Sequence, residues 1–236
     1  MNEEDSVVSV YRAVEETMER LAEPYEIIFV DDASTDSSVK KLKEILAHSK
    51  SLVIVALAEH SGQSEAFQAG FDSASGEIYI TLDGDGQNEP KEIPLLLDKM
   101  REGYDVVCGW RFQRQDSQQK KIASKIAYFI RRLITQEKIH DVGCSLRVFR
   151  KKDVENVHLW SGLHRFFSTI MVKRGRKISE VKVTHYPRRG GVSKYGIWNR
   201  WKQGIADLFR VCFVDMDTLM NHPRSYRIKE TLKAKR

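Results

Sequence analysis

The chain has 236 residues, of which 41% are hydrophobic and 31% are charged, a composition that excludes a disordered or fibrous protein. The length suffices to bury one large hydrophobic core or two small ones. The formal net charge of +6 is the sum of two unlike parts. Residues 1–100 are acidic, with 8 Lys and Arg against 21 Asp and Glu, and residues 101–236 are basic, with 31 Lys and Arg against 12 Asp and Glu.

The first 111 residues alternate between helical and strand-like patterns. Helical spacing of apolar residues predicts helices over 7–21, 34–48, 62–73 and 90–101. Apolar runs predict strands over 26–30, 52–57, 77–82 and 105–109. Nearly continuous apolar strands separated by helices predict an α/β fold with a mostly parallel sheet and helices on both faces. Ligands bind to such sheets beyond the carboxyl ends of the strands.

The alternation fades after Arg111. The later patterns predict a polar loop over 113–119, a basic amphipathic helix over 120–136, strands over 144–149 and 178–185, and a helix over 163–173. A basic loop with two glycines, residues 188–194, leads into a last long helix. The tail from Asn221 is polar and basic, and we expect it to be a weakly held extension.

Cysteine usage and the chain start bear on the cellular compartment. Cys108, Cys144 and Cys212 form no spaced pair, so we expect reduced, buried side chains rather than disulfides or a zinc site. The acidic start lacks the basic region of a signal peptide, and no apolar stretch reaches the roughly 20 residues of a membrane span. We therefore expect a cytoplasmic protein whose membrane contact, if any, is peripheral.

The strongest chemical signal is Asp83-Gly84-Asp85 at the end of a predicted strand. Two carboxylates there can hold a hard divalent cation such as Mg²⁺ or Mn²⁺, which in turn can bind a diphosphate. Gln87 can add a neutral oxygen ligand. The alternative is an ordinary turn, which the sequence Asp-Gly-Asp-Gly also favours.

A second polar cluster follows the strand over 26–30. It contains Asp31, Asp32, Ser34 and Asp36. Carboxylates at this strand end can accept hydrogen bonds from a nucleobase and from ribose hydroxyls. The alternative is a cap for the next helix, a role that suits Ser34 and Asp36. Both roles are compatible at one strand-to-helix corner.

These motifs, together with three later ones, resemble the family-2 glycosyltransferases. The first set is Asn2-Glu3-Glu4, the D-D-x-S-x-D run at 31–36, His60-Ser61-Gly62-Gln63-Ser64, and Leu82-Asp83-Gly84-Asp85-Gly86-Gln87. The later set comprises residues 140–146, 163–166 and 185–196. The later set is similar to the polyprenyl-phosphate branch, which includes dolichyl-phosphate mannose synthase-like and undecaprenyl-phosphate sugar transferases. The resemblance covers about residues 2–212.

The resemblance implies a GT-A fold and a single catalytic domain over 1–215. Residues 1–111 would bind the nucleotide sugar, residues 112–215 would contact the acceptor and the membrane, and residues 216–236 would form the tail. The family begins with an apolar strand that has no counterpart before Asn2, so we expect that strand to be missing from the sheet. The implied reaction transfers a sugar from a UDP- or GDP-sugar to a dolichyl or undecaprenyl phosphate with inversion at the anomeric carbon.

The resemblance also implies roles for individual residues. The implied nucleotide-sugar-binding residues are Asp31, Asp32, Ser34, Asp36, Gln63, Asp83, Arg188, Ser193 and Lys194. The implied metal ligands, for Mg²⁺ or Mn²⁺, are Asp83, Asp85 and Gln87. The implied catalytic residues are Asp85, Arg111 and Arg189.

The acceptor side of the implied reaction needs positive charge rather than a strong base. A phosphate monoester has a second pKa of about 6 and is mostly a dianion at neutral pH. We therefore interpret Asp141, the carboxylate nearest this point, as structural. The helix over 120–136 is either an ordinary core-facing amphipathic helix or an interfacial helix on an anionic membrane, with Lys125 or Arg131 at the acceptor phosphate.

The expected partners are a nucleotide-sugar donor, a polyprenyl phosphate and an anionic membrane surface. Two alternatives stay open: a soluble glycosyltransferase that acts on a glycan or protein hydroxyl, and an inactive nucleotide-sugar-binding remnant. A nucleic-acid-binding protein is disfavoured, because the basic part follows an acidic one and carries no basic-aromatic motif.

Overall fold

The computed structural model describes residues 1–112, 132, 139–159, 162–187, 211, 213, 215, 218 and 223–234. The helices of these residues are α1 (Val7–Leu21), α2 (Ser38–Leu46), α3 (Gln63–Ser73), α4 (Ile93–Arg101), α5 (Lys151–Val154) and α6 (Phe167–Lys173). The strands are β1 (Ile27–Asp31), β2 (Leu52–Leu57), β3 (Ile78–Thr81), β4 (Val106–Arg111), β5 (Arg147–Arg150), β6 (Ile178–Val183) and β7 (Ile228–Lys233). The 3-10 turns Pro90–Glu92 and Leu163–Phe166 lead into α4 and α6.

The helices and strands predicted for residues 1–111 are confirmed, with ends that differ by a few residues. The later strands over 144–149 and 178–185 and the helix over 163–173 are confirmed in shorter form. The basic helix over 120–136, the loop over 188–194 and the last long helix lie outside the described residues, apart from isolated positions.

The strands form two sheets, with the orders β1-β2-β7 and β3-β5-β4-β6. β1 pairs with β2 and β4 pairs with β6 in parallel, whereas the pairs β2–β7, β3–β5 and β4–β5 are antiparallel. The pairing is therefore more mixed than the apolar runs predict. The physical reason is that the chain leading into β5 lies beside the end of β4, where Gly109 donates to the Leu146 carbonyl, so β5 must run back.

The two sheets share one apolar interior. Val10 and Val14 of α1 are buried against β1 and β2, because the apolar stripe of this helix has helical spacing. Met18 and Leu82 contact this cluster and also the cluster around β4, β5 and α4. Every residue of β2 is buried, which explains its uninterrupted apolar run. Met18 of α1 and Leu82, which follows β3, therefore connect the cores of the two sheets.

The prediction of a weakly held tail is wrong for residues 223–234. β7 pairs antiparallel with β2, and its hydrogen bonds continue where Ala58 donates to the Arg227 carbonyl and Ala234 to the Leu52 carbonyl. Asp72 of α3 binds the Tyr226 hydroxyl and the Arg224 guanidinium, the latter at 2.6 Å. The polar composition hid this strand, which satisfies backbone groups that the edge of β2 would otherwise leave unpaired.

Two predictions from composition concern residues that the structure describes, one about the cysteines and one about membrane-spanning helices. Cys108 and Cys144 are buried, as predicted, and burial raises the pKa of the Cys144 thiol to about 11. Cys212 lies outside the described residues. No helix among the described residues has the length and hydropathy to cross a membrane.

Candidate active site

Four of the predicted functional residues, Asp83, Asp85, Gln87 and Arg111, lie at or just beyond one edge of the larger sheet. β3 and β4 both run antiparallel to β5, so Thr81 and Cys108, near their carboxyl ends, pair with Arg147 at the start of β5. β6 runs parallel to β4 and ends beside Arg111. The carboxyl ends of β3, β4 and β6 therefore lie at the same edge as the start of β5.

Ser145 holds the carboxylate loop that follows β3. Its hydroxyl accepts hydrogen bonds from the Asp83 amide at 3.1 Å and from the Asn88 side chain at 2.9 Å. Its carbonyl accepts from the Thr81 hydroxyl at 2.7 Å. Within the loop, the Asp85 carboxylate accepts from the Gln87 amide at 3.1 Å. Both carboxylates are thus fixed at the strand end.

The electrostatics of this loop fit a divalent cation. Loss of hydration and the neighbouring Asp85 raise the pKa of the Asp83 carboxyl, while Ser145, Arg111 and Arg147 act in the opposite direction. A cation bound by Asp83 and Asp85 would offset the repulsion between them, and oxygen donors suit Mg²⁺ and Mn²⁺. No group of three or more His, Cys, Asp and Glu in the described residues forms a metal site. Asp83, Asp85 and Gln87 are the residues of this loop that could hold such an ion.

Gln87 joins the carboxylate loop to the end of β6. Its amide nitrogen donates to the Tyr186 carbonyl at 3.1 Å, and its backbone carbonyl accepts from the Tyr186 amide at 3.0 Å. The Nε2 atoms of Gln87 and His185 lie 3.4 Å apart. Sequence reasoning missed His185 as a site residue, although it begins one of the motifs that carry the resemblance. Its position beside Gln87 became visible only through the pairing of distant segments.

Arg111 is clamped by Asp141. The two Asp141 oxygens accept hydrogen bonds from Arg111 Nε at 2.7 Å, Nη2 at 2.8 Å and the backbone amide at 3.2 Å. Both side chains are nearly buried, and the carboxylate raises the pKa of the Arg111 guanidinium above its already high value. Gly143 leaves room for this pair, because a Cβ at that position would lie 3.0 Å from Arg111 Nη2.

A second carboxylate holds the segment that carries Asp141. Glu180 of β6 accepts from the backbone amides of His140 and Asp141 at 2.8 and 3.0 Å. It also contacts Nδ1 of His140 at 2.8 Å. The segment after the undescribed residues is therefore anchored to β6, and Asp141 is positioned for its bond to Arg111.

The start of α3 connects the two strand-end clusters. The Asp32 carboxylate accepts from the backbone amides of Ser61 and Gly62 at 2.7 and 3.1 Å. The next residue, Gln63, donates from its side-chain amide to Asp83 at 2.8 Å. The site predicted from two separate motifs is therefore one continuous arrangement.

The remaining residues of the first cluster bond to the chain start. The Ser34 hydroxyl accepts from the Asn2 amide at 2.8 Å. Asp36 accepts from the amides of Ser38 and Glu4 at 3.0 and 3.1 Å, and these hydrogen bonds keep the pKa of its carboxyl below its usual value. Asp36 thus accepts from the first amide of α2, although the N-cap position itself is taken by Ser37. The Asp31 carboxylate accepts from the Ser34 amide at 2.9 Å.

The other predicted site residues lie outside the described residues. They are Lys125, Arg131, Arg188, Arg189, Ser193 and Lys194. A buried cation that sequence reasoning missed is Arg147, which donates to the carbonyls of Val142 and His164 at 2.7 and 3.1 Å. Arg147 is the first residue of β5, and nothing in the sequence there indicated a buried side chain that donates to backbone carbonyls.

The amino-acid sequence is similar to those of a characterised enzyme family. The family described as "Glycosyl transferase family 2" matches residues 1–157. A dodecaprenyl-phosphate galacturonate synthase from Rhizobium johnstonii is 40% identical over 90% of this chain and 64% of its own length. An undecaprenyl-phosphate 4-deoxy-4-formamido-L-arabinose transferase from Serratia proteamaculans is 37% identical over 83% of this chain and 60% of its own length. The chain thus spans less than two thirds of these relatives.

Solved structures share the fold at low sequence identity. Glucosyl-3-phosphoglycerate synthase from Mycobacterium tuberculosis, in complex with Mn²⁺ and UDP-glucose, has a TM-score of 0.67 at 17% identity, with 91% of this chain and 77% of that chain covered. Mannosyl-3-phosphoglycerate synthase from Rubrobacter xylanophilus has a TM-score of 0.65 at 13% identity, with 89% and 70% covered. The expected GT-A fold is therefore confirmed.

Proposed function

The chain belongs to glycosyl transferase family 2, and from this membership we propose that it transfers a sugar from a nucleotide-sugar donor to a polyprenyl phosphate at a membrane surface. The observation that carries the proposal is the edge of the larger sheet, where paired carboxylates and a clamped arginine lie together. The matched relatives support it, because their names specify dodecaprenyl and undecaprenyl phosphates.

The donor would bind along the acidic side of this edge. Asp83 and Asp85 would hold Mg²⁺ or Mn²⁺ with Gln87, and the bound ion would supply positive charge for the leaving diphosphate. Asp31 and Asp32, at the end of β1, would accept hydrogen bonds from the base and the ribose. The bond from Gln63 to Asp83 supports one donor site rather than two, because it joins these strand ends.

Arg111 would stabilise negative charge near the reaction centre. Its guanidinium always carries a positive charge, and the bond to Asp141 fixes its direction before substrate arrives. A preorganised cation stabilises a transition state better than a mobile one, because it needs no reorganisation during the reaction. Nη1 is not used in the clamp and remains for a phosphate oxygen.

A phosphate acceptor explains why the site needs no general base. An oxygen of the acceptor dianion would attack the anomeric carbon and form the new C–O bond. The bond from that carbon to the diphosphate would break, with its electron pair leaving on the diphosphate. No proton moves in this step, and a single displacement inverts the anomeric carbon.

The state of Asp141 favours this acceptor over a hydroxyl group. A hydroxyl acceptor would need a base to remove its proton. The Asp141 carboxylate instead accepts four hydrogen bonds from Arg111 and Gly143. These bonds commit both oxygens to the clamp. A soluble transferase acting on a glycan or protein hydroxyl is therefore the less favoured alternative.

The basic second part of the chain would contact the acceptor and the cytoplasmic surface of a membrane. If the helix predicted over 120–136 is interfacial, Lys125 or Arg131 would bind the acceptor phosphate. Four further residues, Arg188, Arg189, Ser193 and Lys194, would close over the donor diphosphate or the acceptor phosphate. The balance of 31 Lys and Arg against 12 Asp and Glu supports attraction to anionic lipids.

The test mixes the protein, Mn²⁺, UDP-galacturonate or UDP-glucose, and undecaprenyl phosphate in detergent, and detects glycolipid by mass spectrometry. We expect a glycosylated lipid phosphate with at least one donor. Asp85→Asn should lower turnover by at least about 100-fold, because it removes a charge at the diphosphate. The matched control Asp98→Asn changes an exposed carboxylate of α4 and should keep full activity.

Three outcomes contradict parts of the proposal. Turnover with a free glycan but with no lipid phosphate would replace the acceptor. Binding of nucleotide sugar without any turnover would support the inactive remnant. Full activity of Asp85→Asn would remove the metal assignment.

A further inference from the structure

Ser64 and His164 form a pair that has no role in the proposed function so far. Ser64 lies in the first turn of α3 and is only 1% exposed. His164 lies in the 3-10 turn Leu163–Phe166, 100 residues later. The Ser64 hydroxyl oxygen is 2.8 Å from Nδ1 of His164. A buried polar pair formed between such distant segments needs a physical account.

The bonds around Ser64 determine which nitrogen of His164 carries the proton. The Ser64 oxygen accepts hydrogen bonds from the backbone amides of Gly162 at 3.0 Å and His164 at 3.3 Å. A hydroxyl has two lone pairs and one hydrogen, so its hydrogen is left to point at Nδ1. Nδ1 must then be the acceptor, and the ring carries its proton on Nε2.

His164 is a hydrogen-bond donor rather than an acid or base. Burial, together with the positive charges of Arg165 and Arg147, lowers the pKa of the His164 imidazole to about 3. The ring is therefore neutral at physiological pH. In the described part of the chain no group accepts a hydrogen bond from Nε2, and this atom is not one of the fully buried unpaired ones. His164 is only partly buried, so its Nε2–H can donate to a bound molecule.

On one side, His164 connects to the carboxylate that would bind the metal. Its partner Ser64 directly follows Gln63, whose amide donates to Asp83 at 2.8 Å. Ser64 and Gln63 both belong to the first turn of α3. His164 is therefore held at the same helix start that contacts the donor site.

On the other side, His164 connects to the arginine clamp. Its carbonyl accepts from Arg147 at 3.1 Å, and the second Arg147 nitrogen donates to the Val142 carbonyl at 2.7 Å. Val142 follows Asp141, which binds Arg111. Arg111 and Arg147 both act electrostatically on Asp83. His164 therefore belongs to a closed ring of contacts around the candidate active site.

We propose that His164 donates a hydrogen bond from Nε2 to a hydroxyl oxygen of the transferred sugar. The inference rests on the proposed function, because it needs a nucleotide sugar bound beside Asp83. In that arrangement the diphosphate lies at the carboxylates and the acceptor phosphate near Arg111, so the sugar lies between them. A fixed, neutral N–H suits a sugar hydroxyl, whereas the charged phosphates already have cations.

Calorimetry in the presence of Mn²⁺ and without lipid tests the role of His164. The titrants are UDP and UDP-galacturonate, which differ by the sugar. His164→Met keeps the bulk of the ring but removes the N–H, and it should weaken UDP-galacturonate binding about tenfold while UDP affinity changes less than about twofold. His164→Gln, whose amide nitrogen can reach the Nε2 position, should restore most of the affinity. The control His48→Met, at an exposed position, should match wild type.

The outcomes separate this inference from the function on which it rests. Wild-type protein that binds neither nucleotide would overturn both. Wild-type binding with an equal loss for UDP and UDP-galacturonate in His164→Met would indicate a structural role and overturn the inference alone. Unchanged donor affinity with a raised KM for undecaprenyl phosphate would move the contact to the acceptor and also overturn it.

Two further measurements keep the inference testable if His164→Met does not fold. His164→Asn can still bond to Ser64 but lacks the Nε2 donor, so it should show the same selective loss. Nitrogen NMR of histidine-labelled wild-type protein should show an imidazole with the proton on Nε2 that does not titrate between about pH 5 and about pH 8. A His164 that titrates in this range, or that carries its proton on Nδ1, would contradict the hydrogen-bond scheme.

Discussion

Arg111 depends for its orientation on a carboxylate that lies 30 residues away in the sequence. The resemblance assigned Arg111 to the reaction centre, and Asp141 was interpreted as structural. The structure connects them, because Asp141 bonds to three nitrogens of Arg111. Asp141 therefore has a specific structural role, which is to orient the Arg111 guanidinium. Gly143 contributes to this orientation, because its lack of a side chain leaves the space that the guanidinium occupies.

Gly143→Ala should displace Arg111 while the fold is kept. The added Cβ would lie 3.0 Å from Arg111 Nη2, so the guanidinium must shift by a few tenths of an ångström or more. Small displacements of catalytic groups cost rate steeply, and we expect kcat/KM to fall about tenfold. The matched control Gly76→Ala adds a Cβ in ordinary contact, at 3.6 Å from the Ile78 carbonyl, and should keep full activity. Equal activity of the two variants would contradict the clamp.

Asp83→Asn should stabilise the metal-free protein and abolish its response to metal. The repulsion from Asp85 and the lost hydration that raise the pKa of the Asp83 carboxyl also destabilise its ionised form at neutral pH. A neutral amide removes both effects, so thermal unfolding should occur at a higher temperature. Wild-type protein should be stabilised by Mn²⁺ with UDP, by about 2.7 kcal/mol when the ligand is at a hundred times its Kd.

The control for this experiment is Asp98→Asn, which changes an exposed carboxylate paired with Arg101. It should leave both the unfolding temperature and the response to Mn²⁺ unchanged. An Asp83→Asn protein that still responds to Mn²⁺ as wild type does would show that the ion binds elsewhere.

Among the helices and strands, α3 and β7 each connect segments that lie far apart in the sequence. The first turn of α3 contacts Asp32, Asp83 and His164 through successive residues. β7 closes the outer edge of β2, and Arg224 and Tyr226, just before β7, bind Asp72 of α3. The C-terminal residues thus support the helix that links the strand ends.

Amide hydrogen exchange should detect β7 as part of the folded domain. The β7 amides paired with β2 should exchange orders of magnitude more slowly than unstructured amides, because exchange requires the ladder to open. Leu232→Asn should speed exchange along β7, since Leu232 packs on the cluster beneath β1 and β2. The exposed Lys229→Asn is the matched control. Unprotected β7 amides in wild type would support the weakly held tail after all.

At the scale of the whole molecule, the division of charge has a partial structural explanation. The acidic first part contains the carboxylates at the ends of β1 and β3. Two of its acidic residues, Asp36 and Asp32, accept backbone hydrogen bonds instead of lying free. The described cations of the basic part include Arg111 and Arg147, which act on Asp83. In the proposed function, cations of the basic part would also meet phosphate and lipid.

Binding to membranes should depend on anionic lipid and on salt. Vesicles with phosphatidylglycerol should bind the protein, and binding should fall at least about tenfold between about 0.05 M and about 0.5 M NaCl, because salt screens the basic part. The double variant Lys125→Gln with Arg131→Gln should bind more weakly. The control Lys40→Gln, at an exposed position of α2, should not change binding. Equal binding to neutral phosphatidylcholine vesicles would contradict an electrostatic surface.

Much of the fold could be predicted because its signals are local. The apolar run of β2 and the helical stripe of α1 each carry their own period, so type and approximate bounds follow from neighbouring residues. The order of strands could not be predicted in this way. β5 lies between β3 and β4, and β7 lies beside β2, because of long-range pairing that leaves no periodic trace in the sequence.

The candidate site shows the same difference between local signals and long-range contacts. Short motifs at strand ends sufficed to predict the carboxylates Asp83 and Asp85, the arginine at the end of β4 and the family. Folding of the chain is what brings Asp141 to Arg111 and Ser64 to His164, and what makes a strand of the polar tail. These contacts join segments 30, 100 and more residues apart. Hydrogen-bond geometry across such distances exists only once the chain has folded, so no local pattern encodes it.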